Sequence, residues 1–231
     1  IASQRKIIER IKETSYKDLG SSNSYLSQYN KFKILNDSSY LKMFNSEAYL
    51  QSCNSFKPEP GSGSSLVVFN RNHELMNNID LVNYNIYDFD VDELSDRIAL
   101  LYGNKDSTFL SYYDLKTFKF ISNVFSKKGC YTYGEIYFSK SGTYLLNKVK
   151  SGTVIYLGNK LYYGIEGDLY GLNNDENVAI SNSSGTIYAY DLEKKIIIWS
   201  YKIGDDYVNT KFFKIDDKIY LISGRALSWE G

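Results

Sequence analysis

The side chains that could do chemistry in this chain are few, and histidine is the scarcest. His73 is the one histidine among 231 residues, so the chain itself can supply no His-rich metal site and no histidine acid–base pair, and a Ser-His-Asp triad could use only His73. His73 lies among turn-forming residues in Asn70-Arg71-Asn72-His73-Glu74. We predict that it is a solvated loop residue.

A run of carboxylates between residues 88 and 96 is the second candidate for chemistry. Asp88, Asp90 and Asp92 alternate with apolar residues, and this alternation would put all three on one face of a strand. Such a face could hold a hard cation. The run lacks the glycine and the final glutamate of an EF-hand loop. We therefore predict an exposed acidic strand face without a metal.

Phosphate-binding and nucleic-acid chemistry find little support. The glycines around Gly164 and Gly167 match neither a P-loop nor a dinucleotide-binding motif, so they predict hairpin turns and no cofactor.

The 27 basic residues balance 27 acidic ones, which gives no general attraction to nucleic acid or to an anionic membrane. No apolar run reaches the roughly 18 residues of a membrane span. We expect no nucleic-acid partner and no membrane partner.

Cysteine usage predicts the compartment. Cys53 and Cys130 are the two cysteines, and they form no Cys-x-x-Cys pair. A single disulfide is the alternative, but two isolated thiols are typical of proteins from a reducing compartment. We therefore expect a cytoplasmic or nuclear location.

The elements that position these side chains are predicted to be mostly strands. The chain has 23 Tyr, 12 Phe and 2 Trp but only 2 Pro, and aromatic residues favour pleated sheets. The stretch Gly185–Lys202 gives the strongest pattern. It reads as a strand over 186–190, a turn around Asp191 and a second strand at Ile196-Ile197-Ile198-Trp199.

This hairpin recurs in weaker form along the chain. Its first strand aligns with four other short apolar runs, which are Leu66–Asn70, Phe109–Leu115, Val154–Gly158 and Leu227–Trp229. The three middle copies are each preceded by another strand and a polar turn, and they lie roughly 40 residues apart, which is the spacing of four-stranded propeller blades. We predict a β-propeller of four-stranded antiparallel blades over residues 65–231. Most propellers have more blades than a chain of this length supplies, so we expect the ring to be truncated, interrupted or unusually small.

The blades resemble two known repeat types. They are similar to WD repeats, although the Gly-His pair and the Trp-Asp ending of that family are absent. The stretch from Ile187 to Trp199 also resembles the quinoprotein-type blade, but Glu193-Lys194-Lys195 stands where that family has Thr-Gly-Lys. The subclass of this divergent propeller stays open.

The first 57 residues differ from the repeats and predict three short helices. Ile7, Ile8 and Ile11 mark the first, residues 24–35 the second, and Tyr40–Phe44 opens the third. A linker is predicted at 58–64, where Pro58 and Pro60 precede a Gly/Ser run. The chain begins at Ile1 and ends at Gly231 in what looks like the middle of an element, so we expect a fragment.

The helical segment resembles the second half of an F-box. The resemblance is carried by Tyr16–Leu19, Leu26–Phe32 and Leu35–Phe44, although the leading Leu-Pro pair is absent and Leu41 stands where Trp is usual. An F-box implies docking to a Skp-type adaptor of a cullin-RING ligase. The adaptor-binding residues would be Leu19, Leu26, Tyr29, Phe32, Leu35 and Leu41. The alternative is that these helices only cap the β domain.

Three functions follow from these patterns. The first is a substrate receptor of a cullin-RING ubiquitin ligase, whose propeller binds a protein substrate. The second is a non-catalytic propeller scaffold within a larger complex. The third, an enzyme of the quinoprotein or glycan-cleaving class, lacks paired carboxylates or a ring of cofactor-stacking tryptophans in the sequence, so we expect no enzyme. Loop tyrosines are candidate partner-binding residues, namely Tyr131, Tyr133, Tyr162, Tyr163 and Tyr207.

Overall fold

A computed structural model describes residues 31–44, 63–129, 134–149 and 151–202, together with the backbone of 208–215 and 218–225. These residues form eighteen strands. No helix occurs among them, and so none that is long and apolar enough to cross a membrane. The mostly β fold class predicted from the aromatic composition is confirmed.

Four antiparallel sheets of four strands follow one another along the chain. The first contains β1 (Phe32–Ile34), β2 (Tyr40–Phe44), β3 (Gly63–Phe69) and β4 (Leu75–Val82). The second contains β5 (Asn85–Asp92), β6 (Arg97–Gly103), β7 (Ser107–Asp114) and β8 (Phe120–Lys128). The third contains β9 (Glu135–Phe138), β10 (Tyr144–Val149), β11 (Gly152–Leu157) and β12 (Lys160–Glu166). The fourth contains β13 (Asp168–Leu172), β14 (Val178–Ser183), β15 (Thr186–Asp191) and β16 (Ile196–Lys202). A last hairpin pairs β17 (Val208–Ile215) with β18 (Lys218–Arg225).

Each sheet is a meander in which every strand pairs with the next one in sequence. We call the four sheets blades 1 to 4. The strands that were aligned from the sequence repeat, at residues 66, 109, 154 and 187, are the third strands β3, β7, β11 and β15 of these blades. The predicted repeat therefore has the correct register, and four-stranded antiparallel blades are confirmed.

Apolar side chains fill the spaces between neighbouring blades. On β6, Ile98 and Leu100 face a core shared with blade 1, whereas Ala99 and Leu101 face a core shared with blade 3. This is why Arg97–Gly103 reads as a continuous apolar run, since a strand buried on both faces needs no polar alternation. A third core lies between blades 3 and 4, around Ile155 and Leu192.

The outer strand of every blade carries a bulge. The pairing with the third strand shifts register once in blades 1, 3 and 4 and twice in blade 2. A bulge adds twist and interrupts the ladder at a sheet edge, which protects exposed edges from unwanted pairing. In blade 4 the pairing passes from Tyr190↔Ile197 to Ala189↔Trp199, so Ile198 is the additional residue.

The helix prediction is wrong for the described part of the N-terminal segment. Phe32–Ile34 and Tyr40–Phe44 are strands of blade 1, joined by a turn in which the Ser38 N–H donates to the carbonyl of Leu35. Leu41 and Met43 are fully buried between half-buried neighbours, a period of two that marks a strand. Ser38 adopts a positive φ of 64° in the turn. The remaining helical predictions, over residues 1–30, lie outside the described residues.

β3 begins at Gly63, so the last two residues of the predicted linker belong to blade 1. The other linker residues lie outside the described part of the chain. Since β1, β2 and β3 pair in order, the chain from Lys31 to Phe44 is built into the same blade as the repeat that follows it.

Candidate protein-interaction surface

The acidic run on β5 is buried, which corrects the predicted exposed face. Asp88, Asp90 and Asp92 alternate along the strand as expected, but each is less than one-tenth exposed. Sequence reasoning missed this because the groups that neutralise them come from distant parts of the chain. Among the residues the structure describes, no group of three His, Cys, Asp or Glu side chains is placed to hold a metal ion.

Asp88 and Asp90 each connect blade 2 to both of its neighbours. The Lys31 ammonium donates to Asp88 at 2.8 Å, and the Lys33 ammonium donates to Asp90 at 2.5 Å. Both lysines belong to blade 1. On the opposite side, the second carboxylate oxygens accept from the backbone N–H groups of Ile136 and Phe138 on β9, each at 2.7 Å. These carboxylates therefore hold three blades together.

Burial and hydrogen bonding shift the pKa values of the β5 carboxyl groups in opposite directions. Burial raises the pKa of Asp88 above its ordinary value, although the Lys31 ammonium and the amide of Ile136 oppose the shift. Burial also disfavours the charge on Asp92, but hydrogen bonds from Ser95 and Arg97 outweigh it and hold the pKa of Asp92 below its usual value. Both carboxyl groups are almost completely shielded from solvent.

Arg97 reinforces the interface between blades 2 and 3. Its guanidinium donates to Asp92 at 2.9 Å and to the carbonyl of Gly142 at 3.0 Å. It also lies 5.2 Å from the ring centre of Tyr112 and 5.5 Å from that of Phe138, distances at which a cation is attracted to an aromatic face. Burial raises the pKa of Tyr112 to about 12. These contacts connect blade 2 to blade 3 at this interface.

Glu176 is the corresponding carboxylate between blades 3 and 4. It accepts from the hydroxyl of Ser139 at 2.8 Å and from the backbone N–H of Ser141 at 2.7 Å. Burial alone would raise the pKa of Glu176, but these bonds and one from the Ser141 hydroxyl hold it below its ordinary value. The buried carboxylates at these interfaces are thus engaged in hydrogen bonds that join the blades.

The two described tyrosines of the partner-binding prediction contact the next blade. On β12, the hydroxyl of Tyr162 donates to the carbonyl of Leu192 at 2.9 Å, and that of Tyr163 donates to the carbonyl of Lys195 at 3.2 Å. Both rings are half-buried. Part of each side chain therefore connects blades 3 and 4, and its role in binding a partner stays a prediction. Tyr131, Tyr133 and Tyr207 lie outside the described residues.

The three predicted adaptor-binding residues that the structure describes do not form one surface. Leu41 is fully buried in the core between blades 1 and 2, and Leu35 packs against the same core. Phe32 is 61% exposed. Leu19, Leu26 and Tyr29 lie outside the described residues. Leu41 therefore presents no accessible side chain to an adaptor, and adaptor binding by the other residues stays a prediction. His73 is exposed in its turn, as predicted, and hydrogen-bonds to the Tyr40 hydroxyl at 2.9 Å.

An apolar surface on the outer strand of blade 4 was not selected from the sequence. All seven residues of β16 are exposed. The large apolar ones, each 47–62% exposed, are Ile196, Ile197, Ile198, Trp199 and Tyr201. We call these five residues the β16 rim. The sequence signal for this surface is the run of four consecutive apolar residues, Ile196 to Trp199. It falls in the fourth strand of a repeat, which lies at the edge of the blade.

Basic side chains lie at both ends of the β16 rim. Lys195 precedes it and Lys202 ends the strand, and both are exposed. The Lys195 ammonium lies 4.3 Å from the ring centre of Tyr162. Lys194, in the preceding turn, pairs with Asp191 at 3.4 Å. β16 itself contains no acidic residue, whereas Glu193 precedes the strand by three positions and Asp205 and Asp206 follow it in the sequence.

Comparison with known proteins identifies the architecture. No protein-family model and no curated protein matches the sequence. The Dos1 propeller superposes with a TM-score of 0.56 at 9% identity, over 81% of this chain and 52% of that one. The β-propeller domain of Cps50 (Swd1) from Myceliophteria thermophila gives 0.52 at 7% identity, over 85% of this chain and 61% of that one. These two similarities show that the fold is a β-propeller.

The chain spans between about half and three fifths of those two propellers. A third structure, the C-terminal WD40 domain of Sif2, gives a TM-score of 0.44 at 11% identity over 84% of this chain and 63% of that one. The choice between the WD and quinoprotein subclasses therefore remains a prediction from the repeat sequence.

Proposed function

We propose that this chain is a non-catalytic β-propeller scaffold that binds another protein through the β16 rim. The observation that carries the proposal is the exposure of five large apolar side chains on one seven-residue strand. Soluble monomers seldom leave a large contiguous apolar patch in water. Aromatic residues such as Trp199 and Tyr201 are the usual anchors of protein interfaces.

The other outer strands have fewer exposed apolar residues than β16, which supports the choice of the β16 rim as the binding surface. On the outer strands of blades 1, 2 and 3, the exposed large apolar side chains are Met76 and Val82 on β4, Phe120 and Ile121 on β8, and Leu161 on β12. Polar residues separate or flank them on each of these strands. The β16 rim therefore presents the largest apolar set on any one described strand.

The non-catalytic part of the proposal is supported by the state of the carboxylates. Asp88, Asp90 and Glu176 use their oxygens to join neighbouring blades. A glycan-cleaving propeller needs a pair of carboxyl groups that face the substrate, and buried carboxylates with these partners are poor candidates for that role.

Affinity capture with two matched variants tests the proposed function. The double variant Ile197→Ser/Trp199→Ser removes two side chains of the rim. The control, Phe120→Ser/Ile121→Ser, removes two side chains of equal exposure from β8 (53% and 50%). From cells that express the protein, we expect cross-linked partners to be lost with the first variant and kept with the second. Equal melting temperatures of the two variants show that folding is intact, and retention of every partner by the β16 variant would refute the proposal.

The narrower proposal of a cullin-RING substrate receptor takes second place. It now depends on residues 15–30, because Phe32, Leu35 and Leu41 belong to blade 1. Co-expression with a Skp-type adaptor tests it: a stable complex that Leu26→Asp abolishes would support it, and the absence of any complex would exclude it. The cytoplasmic or nuclear location and the absence of cofactor, nucleic-acid and membrane partners remain predictions from composition.

A further inference from the structure

The inner strand of blade 3 shows how a blade docks on the blade before it. The backbone N–H groups of Ile136 and Phe138 donate to two carboxylates on β5 of blade 2. The side chain of Ile136 is 1% exposed because it packs in the core between blades 2 and 3, and Phe138 packs against the same core. Docking at this inner strand therefore combines two amide–carboxylate hydrogen bonds with packing of the same two side chains.

The inner strand of blade 1 has the same backbone arrangement. The first residue after each strand, Leu35 or Ser139, donates its N–H across the following turn at 2.8 Å. Hydrogen-bonded and non-hydrogen-bonded pairs alternate along an antiparallel ladder, so the N–H groups of Phe32 and Ile34 point away from β2. These two residues are thus the equivalents in blade 1 of the two docking residues of blade 3.

Phe32 and Ile34 are uncovered, in contrast to their equivalents. Their exposed fractions are 61% and 64%. The alternating lysines of β1 bond to the carboxylates of blade 2, so Phe32 and Ile34 lie on the opposite face of blade 1. Among the residues that the structure describes, no carboxylate accepts from their N–H groups. We call these two residues with their N–H groups the β1 edge.

The charges near the β1 edge favour an acidic occupant. Between Asp18 and Asp37 the sequence contains no acidic residue, and the Asp37 carboxylate is engaged by Ser39 within its own turn. Lys42 lies opposite Phe32 on β2 and adds a positive charge to the same face. The carboxylate of Asp80 lies at the other side of the blade, on the outer strand β4, where it accepts from a serine hydroxyl.

The chain itself has no unused acidic strand that would fit the β1 edge. Two carboxylates two residues apart occur in its sequence within residues 88–92, at 166 and 168, and at 191 and 193. The first group is bonded to blades 1 and 3, and neither of the other pairs lies within one strand. Because a second copy of this chain has the same strands, it also offers no unused acidic pair.

The propeller fold supplies the kind of occupant. Blades in a propeller stand side by side around a central channel, and the three described interfaces each bury one blade against the next. This chain spans between about half and three fifths of two propellers that share its fold. A ring of that size has room for a further blade beside blade 1, on the face that carries the β1 edge.

We propose that the β1 edge binds the acidic inner strand of a propeller blade that these 231 residues do not contain. That strand has two carboxylates two residues apart. Each carboxylate accepts from one N–H group of the β1 edge, and apolar residues of the same blade cover Phe32 and Ile34. The site is separate from the β16 rim, so the inference goes beyond the proposed function.

Two synthetic peptides test this chemistry with the intact chain. One has the β5 sequence of this chain, Asn85–Asp92, and the other has asparagine at its three acidic positions. We expect the acidic peptide to bind about tenfold more tightly in fluorescence anisotropy, because hydrogen bonds to a charged acceptor are stronger than those to a neutral one. In hydrogen exchange, the acidic peptide should slow the amides of Phe32 and Ile34.

A proline substitution in the protein removes one donor and provides a matched comparison. Ile34→Pro deletes an N–H group that forms no bond to β2, and proline is tolerated at such strand positions. Ile34→Val keeps the donor. We expect the preference for the acidic peptide to fall severalfold in Ile34→Pro and to persist in Ile34→Val. Ile197→Ser/Trp199→Ser, in the β16 rim, should leave peptide binding unchanged.

Several results would overturn the inference. Equal binding of both peptides, or no binding of the acidic one, would do so. If Ile34→Pro unfolds, exchange in the wild-type chain still decides, since unchanged rates at Phe32 and Ile34 with the acidic peptide exclude the site. Without peptide, exchange there as slow as at Ile136 and Phe138 would show that the β1 edge is already covered, by this chain in a monomer or by a second copy in a dimer.

Discussion

At the scale of single residues, buried carboxylates organise this propeller. Asp88 accepts one bond from blade 1 and one from blade 3, and Asp90 repeats the arrangement two residues later. The sequence could predict that these side chains share a face, because that follows from alternation alone. It could not predict their burial, since Lys31 lies 57 positions before Asp88.

Removing the Asp88 carboxylate should destabilise the fold. Asp88→Ala leaves the backbone N–H of Ile136 without its acceptor and the Lys31 ammonium without its counter-charge. Because Lys31 is about one-third exposed and can turn toward water, we expect a loss of about 2–3 kcal/mol in the free energy of unfolding. Urea denaturation measures it. Asp106→Ala, at an exposed carboxylate, should change stability by less than about 0.5 kcal/mol, and an equal effect of both substitutions would contradict this role.

The pH dependence of stability should include a contribution from Glu176. Its pKa is lowered in the folded chain, so its stabilising effect is present above the pKa of an unfolded glutamate, about 4.3, and is lost as the pH falls through the folded value. Glu176→Gln should therefore destabilise the chain most near pH 7, and its difference from wild type should shrink in acid. Denaturation at a series of pH values checks this, and a difference that grows below pH 4 would exclude the assigned sign.

At the scale of elements, the repeat was predictable and the first hairpin was not. Third strands such as Thr186–Asp191 combine β-branched and aromatic residues and run into a turn of polar residues or glycine, and this local pattern repeats in weaker form along the chain. Residues 32–44 contain short apolar runs that fit either a helix or a strand, and length alone could not decide between them. Their pairing with β3, which lies beyond residue 60, resolves the ambiguity in favour of strands.

Buried and exposed positions of the β1–β2 hairpin should differ in how much stability they lose on truncation to alanine. Leu41 is fully buried, whereas Phe32 is 61% exposed. We expect Leu41→Ala to cost about 2–5 kcal/mol of unfolding free energy, because it leaves a cavity between blades 1 and 2. Phe32→Ala should cost less than about 1 kcal/mol. Thermal or urea denaturation of both variants gives the comparison, and equal effects would argue against the hairpin.

The β16 rim was hidden from sequence reasoning for a related reason. A run of consecutive isoleucines predicts a strand but not its place in the sheet, since buried central strands such as Arg97–Gly103 have a similar composition. Only the order of strands within the blade shows that Ile196–Lys202 lies at an edge. The exposed apolar surface could therefore be recognised only once the position of the strand in the blade was known.

At the scale of the whole molecule, the propeller depends on contacts between successive blades. Three interfaces between successive blades are described, namely 1 with 2, 2 with 3, and 3 with 4. Each combines an apolar core with at least one side-chain hydrogen bond between the two blades. Blade 2 has the most buried strands of the four. We infer that its inner strand β5 is the element around which the neighbouring blades are held in register.

Alanine substitutions at two glycines can separate the contribution of an interface to stability from the cost of local backbone strain. Gly142 and Gly158 both have positive φ, at 74° and 59°, so alanine at either position is strained to a similar degree. At Gly142 a Cβ would overlap the Asp92 carboxylate, whereas at Gly158 it would meet no atom within 4 Å. Gly142→Ala should therefore destabilise the chain by about 1–3 kcal/mol more than Gly158→Ala, because it also displaces Asp92 from Arg97.

Hydrogen exchange shows where that extra loss acts. In Gly142→Ala we expect faster exchange at the amides of Ile136 and Phe138, which bond to the carboxylates of β5, and unchanged exchange in the β15–β16 hairpin. Gly158→Ala should leave both regions protected. Uniform loss of protection in all four blades would instead mean that the blades unfold as one unit, and the joint between blades 2 and 3 would then have no separate role in the stability of the ring.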